Sequence, residues 1–488
     1  MKDRLSRSPI MYRLARGAFW STVGGVVSRI FTVVAAIIVA RLVGKEGYGE
    51  IGMVQSTVGM FGVFAGFGLG STATKYIAEF RRKDPEKTGR ISSLTLVFSL
   101  LSSAALSLIC LAASPWLARS TLNRPGLISL LAPGSILLFM STLGGVLTSA
   151  LSGYEAFRKI AKINVIQGAA APVIALPLVW YFGTGGAIAS YTVNSALGVI
   201  MCARALKHEA GRHNSPIRFD GSIWREWPII WRFAFPAMAS GLIVMPAAWI
   251  TNVILVNRPG GYGQFGIFSA ANQWRTAIIF LPNLLRAAVL PVLSESHGRD
   301  KEDFKRAIIL DLRATWVIAL PLTVIVITMG KPLAALFGRQ FHGAAPVIAV
   351  LMISVFLNVV NGAVGAALAG SGRMWTGMFM NVGWAVALIL SSLLLVPRMG
   401  AMGLAAAYLA AYLLHTFWQM AYVELKLARF SISTQWKLIL FSMLLFSLCG
   451  GMVAIGSKQY VYYVFLIILS LVPSINIIWR KLPKYVPE

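Results

Sequence analysis

Fourteen stretches of this chain are apolar over about the thickness of a bilayer, and short polar joints separate them along nearly its whole length. A helix that crosses the hydrocarbon core needs about 20 predominantly apolar residues. The stretches run roughly at 17–40, 48–78, 91–113, 127–151, 163–182, 186–206, 233–256, 262–292, 307–329, 344–369, 375–396, 401–423, 437–456 and 460–479. The second and eighth are long enough to tilt or bend, and Gly59, Gly62, Gly66, Gly68, Gly70 and Pro282 supply bending points. Only 12% of the residues are charged, against about 25% in a soluble chain, so no large water-soluble domain fits between the spans. The expectation is an all-α integral membrane protein with 14 transmembrane helices.

The net charge of +27 invites a nucleic-acid reading, but the basic residues sit in short clusters between apolar spans, so no nucleic-acid partner is expected. When the joints are assigned alternately to the two sides, one side collects about 31 Lys and Arg and the other about 9. That asymmetry is the positive-inside signature, with anionic membrane lipid as the expected neighbour. It places both termini in the cytoplasm and makes the number of spans even. The basic start, through Trp20, leads straight into a span without a small-residue cleavage site and reads as a cytoplasmic lead-in. Cys110, Cys202 and Cys449 each lie in an apolar run without metal-ligand spacing, as packing residues do.

The chain repeats itself. Gly47-Tyr-Gly-Glu-Ile-Gly52 returns as Gly261-Tyr-Gly-Gln-Phe-Gly266, and Gly186-Ala-Ile-Ala-Ser-Tyr191 as Gly403-Leu-Ala-Ala-Ala-Tyr408. Leu151-Ser-Gly153 matches Leu368-Ala-Gly370, Asn164 matches Asn381, and Glu79, Asp84 and Arg90 align with Glu295, Asp300 and Arg306. A unit of six spans keeps its orientation when repeated, so two six-helix bundles would be related by a pseudo-twofold axis along the membrane normal. The expected division is 1–207 for the first bundle, 208–232 for a cytoplasmic interfacial linker, 233–427 for the second bundle and 428–488 for two appended helices. The linker ends in Trp224-Arg-Glu-Trp-Pro-Ile-Ile-Trp-Arg232, a mixture suited to the membrane interface.

Arginines within the spans are the chemistry-bearing feature. Arg29 lies near the middle of the first span, and Arg275 and Arg286 lie in the eighth. A charge at that depth costs several kcal/mol, commonly ~2.5–3.5 on insertion scales, and usually faces a bundle interior or a watery cavity. Gln264, Arg275 and Arg286 are eleven residues apart, which returns within about 20° of one face of a straight helix. Asn272 and Asn283 border that stripe, and Thr22, Gly25, Arg29 and Thr32 form a narrow polar face on the first span. These arginines either line a cationic lumen for an anionic substrate or brace neighbouring helices. Lys75 is a further candidate, although an i,i+4 pair with Glu79 and snorkelling explains it as well. Gln55, Asn194, Asn358, Asn361, His415 and Gln419 are candidates for sugar hydroxyls or for helix–helix hydrogen bonds.

Other chemistry has little to stand on. Glu46, Glu50, Glu79, Glu155, Glu295, Asp311 and Glu424 sit in joints or near span ends, whereas an exporter of cationic drugs ordinarily needs a deep carboxylate. The P-loop pattern, a DxD pair and HExxH are all missing from the sequence, so no cofactor and no enzymatic activity are expected.

The start Gly17-Ala-Phe-Trp-Ser-Thr22, the span end Ala40-Arg-Leu-Val-Gly44, the Tyr48-Gly-Glu-Ile-Gly52 motif and the Leu151-Ser-Gly-Tyr-Glu-Ala-Phe157 turn carry a family resemblance. So does the weaker partner of that turn, Leu368-Ala-Gly-Ser-Gly-Arg373. Together they resemble the oligosaccharide flippases of the MOP superfamily, the Wzx-type polysaccharide exporters. The resemblance implies two bundles around a V-shaped central cavity and movement of undecaprenyl-pyrophosphate-linked glycans from the inner to the outer leaflet of a bacterial or archaeal cell membrane by alternating access. It implies Arg29, and Arg275 or Arg286, as substrate-binding residues, by analogy with the related lipid II flippases. A polysaccharide polymerase and glycosyltransferases are the partners it implies. A lipid II flippase and a MATE-type antiporter are the alternatives on the same fold.

Overall fold

The computed structural model describes residues 9–234, 242–283, 301–427, 435–455 and 464–472, and these fold as helices and turns without a strand. A bilayer offers the backbone no water to bond, so a chain of long apolar runs satisfies its N–H and C=O groups inside helices. In chain order the main helices are α1 (Pro9–Gly66), α2 (Leu69–Phe80), α3 (Pro85–Trp116), α4 (Ile128–Gly153), α5 (Phe157–Arg212) and α6 (Val244–Val256). They continue as α7 (Gly261–Gln273), α8 (Lys301–Thr328), α9 (Gly330–Ala335), α10 (Ala344–Gly370), α11 (Met374–Tyr422) and α12 (Trp436–Ile455). Among the described residues seven helices are long and apolar enough to cross a membrane, and the protein is a multi-pass membrane protein.

Three of those seven, Thr22–Gly66, Phe157–Arg212 and Met374–Leu427, have 45, 56 and 54 residues. Even the shortest would measure roughly 68 Å if straight, about twice the hydrocarbon core. Each is interrupted at a glycine with non-helical angles: Gly44 (φ 71°, ψ −178°), Gly183 (φ 55°, ψ −131°) and Gly400 (φ 56°, ψ −128°). At the last two the chain turns back on itself. A Cβ added to Gly186 would stand 1.8 Å from the Leu178 carbonyl oxygen, and one added to Gly403 would stand 2.3 Å from that of Leu395. Residues eight apart in one continuous helix are about 12 Å apart, so α5 and α11 are each a pair of helices joined at a tight glycine corner.

Leu178, Gly183 and Gly186 pair with Leu395, Gly400 and Gly403 at the offset that relates Leu151 to Leu368. At that offset α4 and α10 end on Gly153 and Gly370, and α5 and α11 begin at Phe157 and Met374. The sequence repeat is therefore also a repeat of helix ends and corners.

The chain divides into two compact units, Met1–Val253 and Ile254–Glu488. In the first, Ala73, Ile77, Ile91, Leu147, Leu151, Tyr154, Ile163, Cys202 and Leu206 form one buried cluster. Cys110, Cys202 and Cys449 are all buried free thiols. Asp84 caps α3 by accepting the Lys87 N–H at 2.9 Å, with Pro85 at the first helical position, where a missing N–H costs nothing. Polar contacts close this end of the unit. Arg81 donates to the Gly153 carbonyl at 3.1 Å and pairs with Glu155 at 2.5 Å. Lys159 pairs with the buried Glu209 at 2.6 Å, and the Tyr154 hydroxyl bonds Ser215 at 2.8 Å. Burial pushes the Tyr154 phenol above its ordinary pKa.

The segment expected to be an interfacial linker packs on this unit. Ile223 and Ile230 join Leu69, Leu94 and Val146 in a second buried cluster, and the Trp227 ring lies 5.8 Å from that of Phe98. Arg90 on α3 pairs with Glu226 at 3.1 Å. Near the boundary between the units, α6 is tied to α1 by Asn252 donating to Ser56 at 2.8 Å and Trp249 donating to Thr57 at 3.0 Å. In the second unit α12 is held by Trp316 donating to Ser442 at 2.9 Å and by the Phe356–Phe446 ring contact at 5.1 Å. Large apolar side chains such as Trp180, Phe182, Leu390, Leu394 and Phe417 point outward, as lipid-facing residues do.

Candidate functional site

Arg29 owes its position to small residues. A Cβ on Gly168 would stand 2.7 Å from the Ser28 Cα, and one on Gly24 would stand 2.6 Å from the Ala161 Cα. The first limb of α1 therefore meets α5 backbone to backbone, the approach that small residues permit between helices in lipid. Ser28 faces that contact, and Arg29 follows one residue later, about 100° around the helix. It is half-buried, deep within the apolar limb. Thr22, Arg29 and Thr32 are at least partly accessible while Gly25 is buried, and the Thr32 hydroxyl bonds the Ser28 carbonyl at 2.8 Å.

In the second unit the helix expected to carry one continuous stripe tightens at Trp274. α7 ends at Gln273, Trp274 forms a turn by donating to the Ala271 carbonyl, and helix resumes over 275–283. Trp274 keeps right-handed helical angles (φ −74°, ψ −18°), so the tighter turn shifts Arg275 around the axis relative to Gln264 without breaking the helical path. Gln264 accepts the Ala401 N–H at 3.1 Å and so supports the Gly400 corner. Arg275 is half-buried. Tyr412 accepts from Asn358 of α10 at 2.6 Å. Around it the Trp384, Tyr408 and Phe268 rings pack at centroid distances of 5.3 Å (Trp384–Tyr412), 6.4 Å (Trp384–Tyr408) and 5.9 Å (Phe268–Tyr408).

Arg275, Gln264 and Asn272 thus lie in the second unit and Arg29 and Lys75 in the first. Asn272 is half-buried, and Lys75 is exposed with its ammonium 4.9 Å from the Tyr76 ring. Arg286 lies outside the described residues, as do Glu295, Asp300 and most of the fourteenth apolar stretch. Several of the polar candidates bond between helices: Gln55 with Tyr191, Asn358 with Tyr412, and Asn361 with His415. Sequence reasoning passed over Tyr412 and Trp384. Their only signal was an aromatic residue among small ones in a span, which is equally the signal of ordinary packing.

These features define a class: a multi-pass helical membrane transporter with an arginine, Arg29, held inside a spanning helix. Residues 14–297, more than half of the chain, match the model of the family described as "Polysaccharide biosynthesis protein", and the chain belongs to that family. It is 26% identical over 350 residues to the succinoglycan biosynthesis transport protein ExoT of Rhizobium meliloti (strain 1021), covering 70% of this chain and 66% of that relative. It is 23% identical over 417 residues to the lipid III flippase of Escherichia coli (strain K12), covering 82% and 96% of the two chains. Among solved structures it resembles the lipid II flippase MurJ in an inward closed conformation, with a TM-score of 0.71, 14% identity and coverage of 95% and 99%. An inward-facing multidrug resistance MATE transporter of the MOP superfamily gives a TM-score of 0.66 at 17% identity, covering 83% and 98%. The fold is therefore that of the MOP superfamily, whose similar members named here are transporters and flippases rather than enzymes.

Proposed function

We propose that this chain flips an undecaprenyl-pyrophosphate-linked oligosaccharide from the inner to the outer leaflet of a bacterial or archaeal cell membrane, with both termini in the cytoplasm. It does so by alternating access along a cationic path, in the service of surface polysaccharide synthesis. The reading is carried by a half-buried arginine in each unit, Arg29 inside a spanning helix and Arg275 just after α7, in a chain of the polysaccharide biosynthesis family. A pyrophosphate needs cationic, hydrogen-bonding surroundings to leave water, and guanidinium offers a bidentate fork to phosphate oxygens. Asn272, Gln264, Lys75 and Arg286 are the further residues assigned to the substrate, and the lipid tail stays in the bilayer while its head group crosses. The glycosyltransferases that build the glycan and the polymerase that extends it are the functional partners of this reading.

The fold shared with a lipid II flippase at a TM-score of 0.71 supports one alternative cargo, the cell-wall precursor itself. Liposomes containing the purified protein separate the two. Flipping of fluorescent undecaprenyl-pyrophosphate oligosaccharide in preference to lipid II is the expected result. Preference for lipid II assigns the chain to cell-wall synthesis, and export of a cationic dye with neither lipid moved would overturn the flippase reading.

A further inference from the structure

The second unit holds a polar cluster that the reading above does not use. His415 on α11 lies between Asn361 on α10 and Gln419 one turn along its own helix. The three are 6%, 5% and 4% exposed. The Asn361 amide nitrogen stands 3.4 Å from His415 Nδ1, and the Gln419 amide nitrogen stands 3.0 Å from Nε2. Both ring nitrogens are thus faced by a carboxamide, while Asn361 Oδ1 and Gln419 Oε1 are buried with no hydrogen-bond partner among the described residues.

A neutral imidazole has one N–H and one lone pair, so it takes a single amide oxygen and leaves the other without the ring as partner. An imidazolium has two N–H groups and takes both. Either carboxamide turns end for end about its last bond without moving the helices, so one added proton gives both oxygens a charge-assisted partner. We propose that His415, cradled by Asn361 and Gln419, is a reversible proton-binding site that makes transport by this chain pH-dependent. The proton comes from water, adds to the free ring nitrogen and leaves by the same atom.

The placement ties this site to the candidate substrate residues. Asn358 and Asn361 are one turn apart on α10, and Tyr412 and His415 are one turn apart on α11, so Asn358–Tyr412 and Asn361–His415 are adjacent rungs between the same two helices. Arg275 follows α7, which meets α11 through the Phe268–Tyr408 ring contact at 5.9 Å. The positive charge of Arg275 disfavours a second positive charge on His415 while the site is empty, and a bound anion favours the proton. The helices packed on α10 bring other charges: α8 carries Glu302, Asp303, Lys305, Arg306, the buried Asp311 and Arg313, and α12 carries Lys437. α10 carries no titratable side chain, α7 carries only Tyr262, and the turn after α11 carries Glu424 and Lys426. On α11 itself the ionisable neighbours are Tyr408, Tyr412 and Tyr422, the last of which accepts from Arg373 at 2.8 Å.

Nitrogen NMR of histidine-labelled protein in detergent tests the site directly, with His415→Gln identifying its signals among the five histidines. The expected result is an observable titration of His415, moved up by about one unit or more in Gln419→Glu, where a carboxylate replaces the amide. A His415 that stays neutral from pH 4.5 to 8.5, or one that Gln419→Glu leaves unmoved, overturns the proposal. The transport half rests on the flippase reading. Lipid-linked glycan flipping by wild type should run several-fold faster at the acidic end of the His415 titration than at pH 8, and the profile should be flat in His415→Gln. A wild-type profile that is already flat, or one that the variant reproduces, overturns the pH dependence while flipping itself stands. Absence of flipping at either pH overturns the flippase reading instead, and the NMR titration then decides the proton site alone.

Discussion

Replacing Glu226 by alanine should release the 213–227 segment from the first unit without unfolding it. Glu226 is buried against α3, its side chain 10% exposed, and holds Arg90, 23% exposed, at 3.1 Å. The other carboxylate near Arg90 is Glu86, 84% exposed at 3.9 Å, a weak substitute. A hydrogen bond to a charged group contributes about 1.5–3 kcal/mol, and breaking a fully buried pair costs about 3–5. Because water reaches Arg90, a figure of about 2 kcal/mol applies, which is about a 30-fold rise in the detached population. Ile223 and Ile230 remain in their cluster, so the segment should open locally rather than dissolve. Arg212 and Arg218 are exposed in and beside it and mark where trypsin would cut. When opening is fast relative to cleavage, the cutting rate follows the open population. Limited trypsin digestion in detergent should therefore speed up about 30-fold at these two arginines, and Arg90→Ala should reproduce most of the effect. A change of less than about threefold, in protein whose melting temperature is unaltered, would refute the argument that this pair fastens the linker.

Other perturbations are equally specific. Gly186→Ala and Gly403→Ala should each cost about 3 kcal/mol or more through the forced retreat of the Leu178 or Leu395 carbonyl, seen as lower melting temperatures. Gly185→Ala, with nothing within 4 Å of its added Cβ, is the control and should melt like wild type. Gly168→Leu should push α5 from α1 beside Arg29, lowering both the folded yield and the glycan flipping rate per folded molecule. Tyr154→Phe removes a buried hydroxyl bonded to Ser215, which keeps its bond to the Ala210 carbonyl at 3.2 Å. The cost should be only about 1 kcal/mol, a melting shift of about 2–4 °C.

What the sequence disclosed, and what it withheld, follows from the reach of its signals. The matched motifs include the paired corners at Gly186 and Gly403 because glycine is demanded wherever a close backbone approach recurs. The turn at Trp274 escaped notice because Asn272-Gln273-Trp274-Arg275 contains neither glycine nor proline, so periodicity ran straight through it. The bond from Ala401 to Gln264 was not legible in the sequence, since its two ends lie on different helices. His415 and Gln419 are visibly one turn apart in sequence, but Asn361 reaches the ring only because α10 packs against α11. Helix-face arguments report single helices, and a polar site in a membrane protein is made between them.

The central claim is that Arg29 and Arg275 carry the anionic head group. It is tested most directly by flipping of undecaprenyl-pyrophosphate oligosaccharide in liposomes reconstituted with equal amounts of folded wild type, Arg29→Ala, Arg275→Ala and the matching lysine variants. The account predicts loss of flipping in both alanine variants and partial recovery in the lysine variants, which keep the charge but lose the bidentate fork. Wild-type flipping rates in the variant lacking both arginines would contradict it.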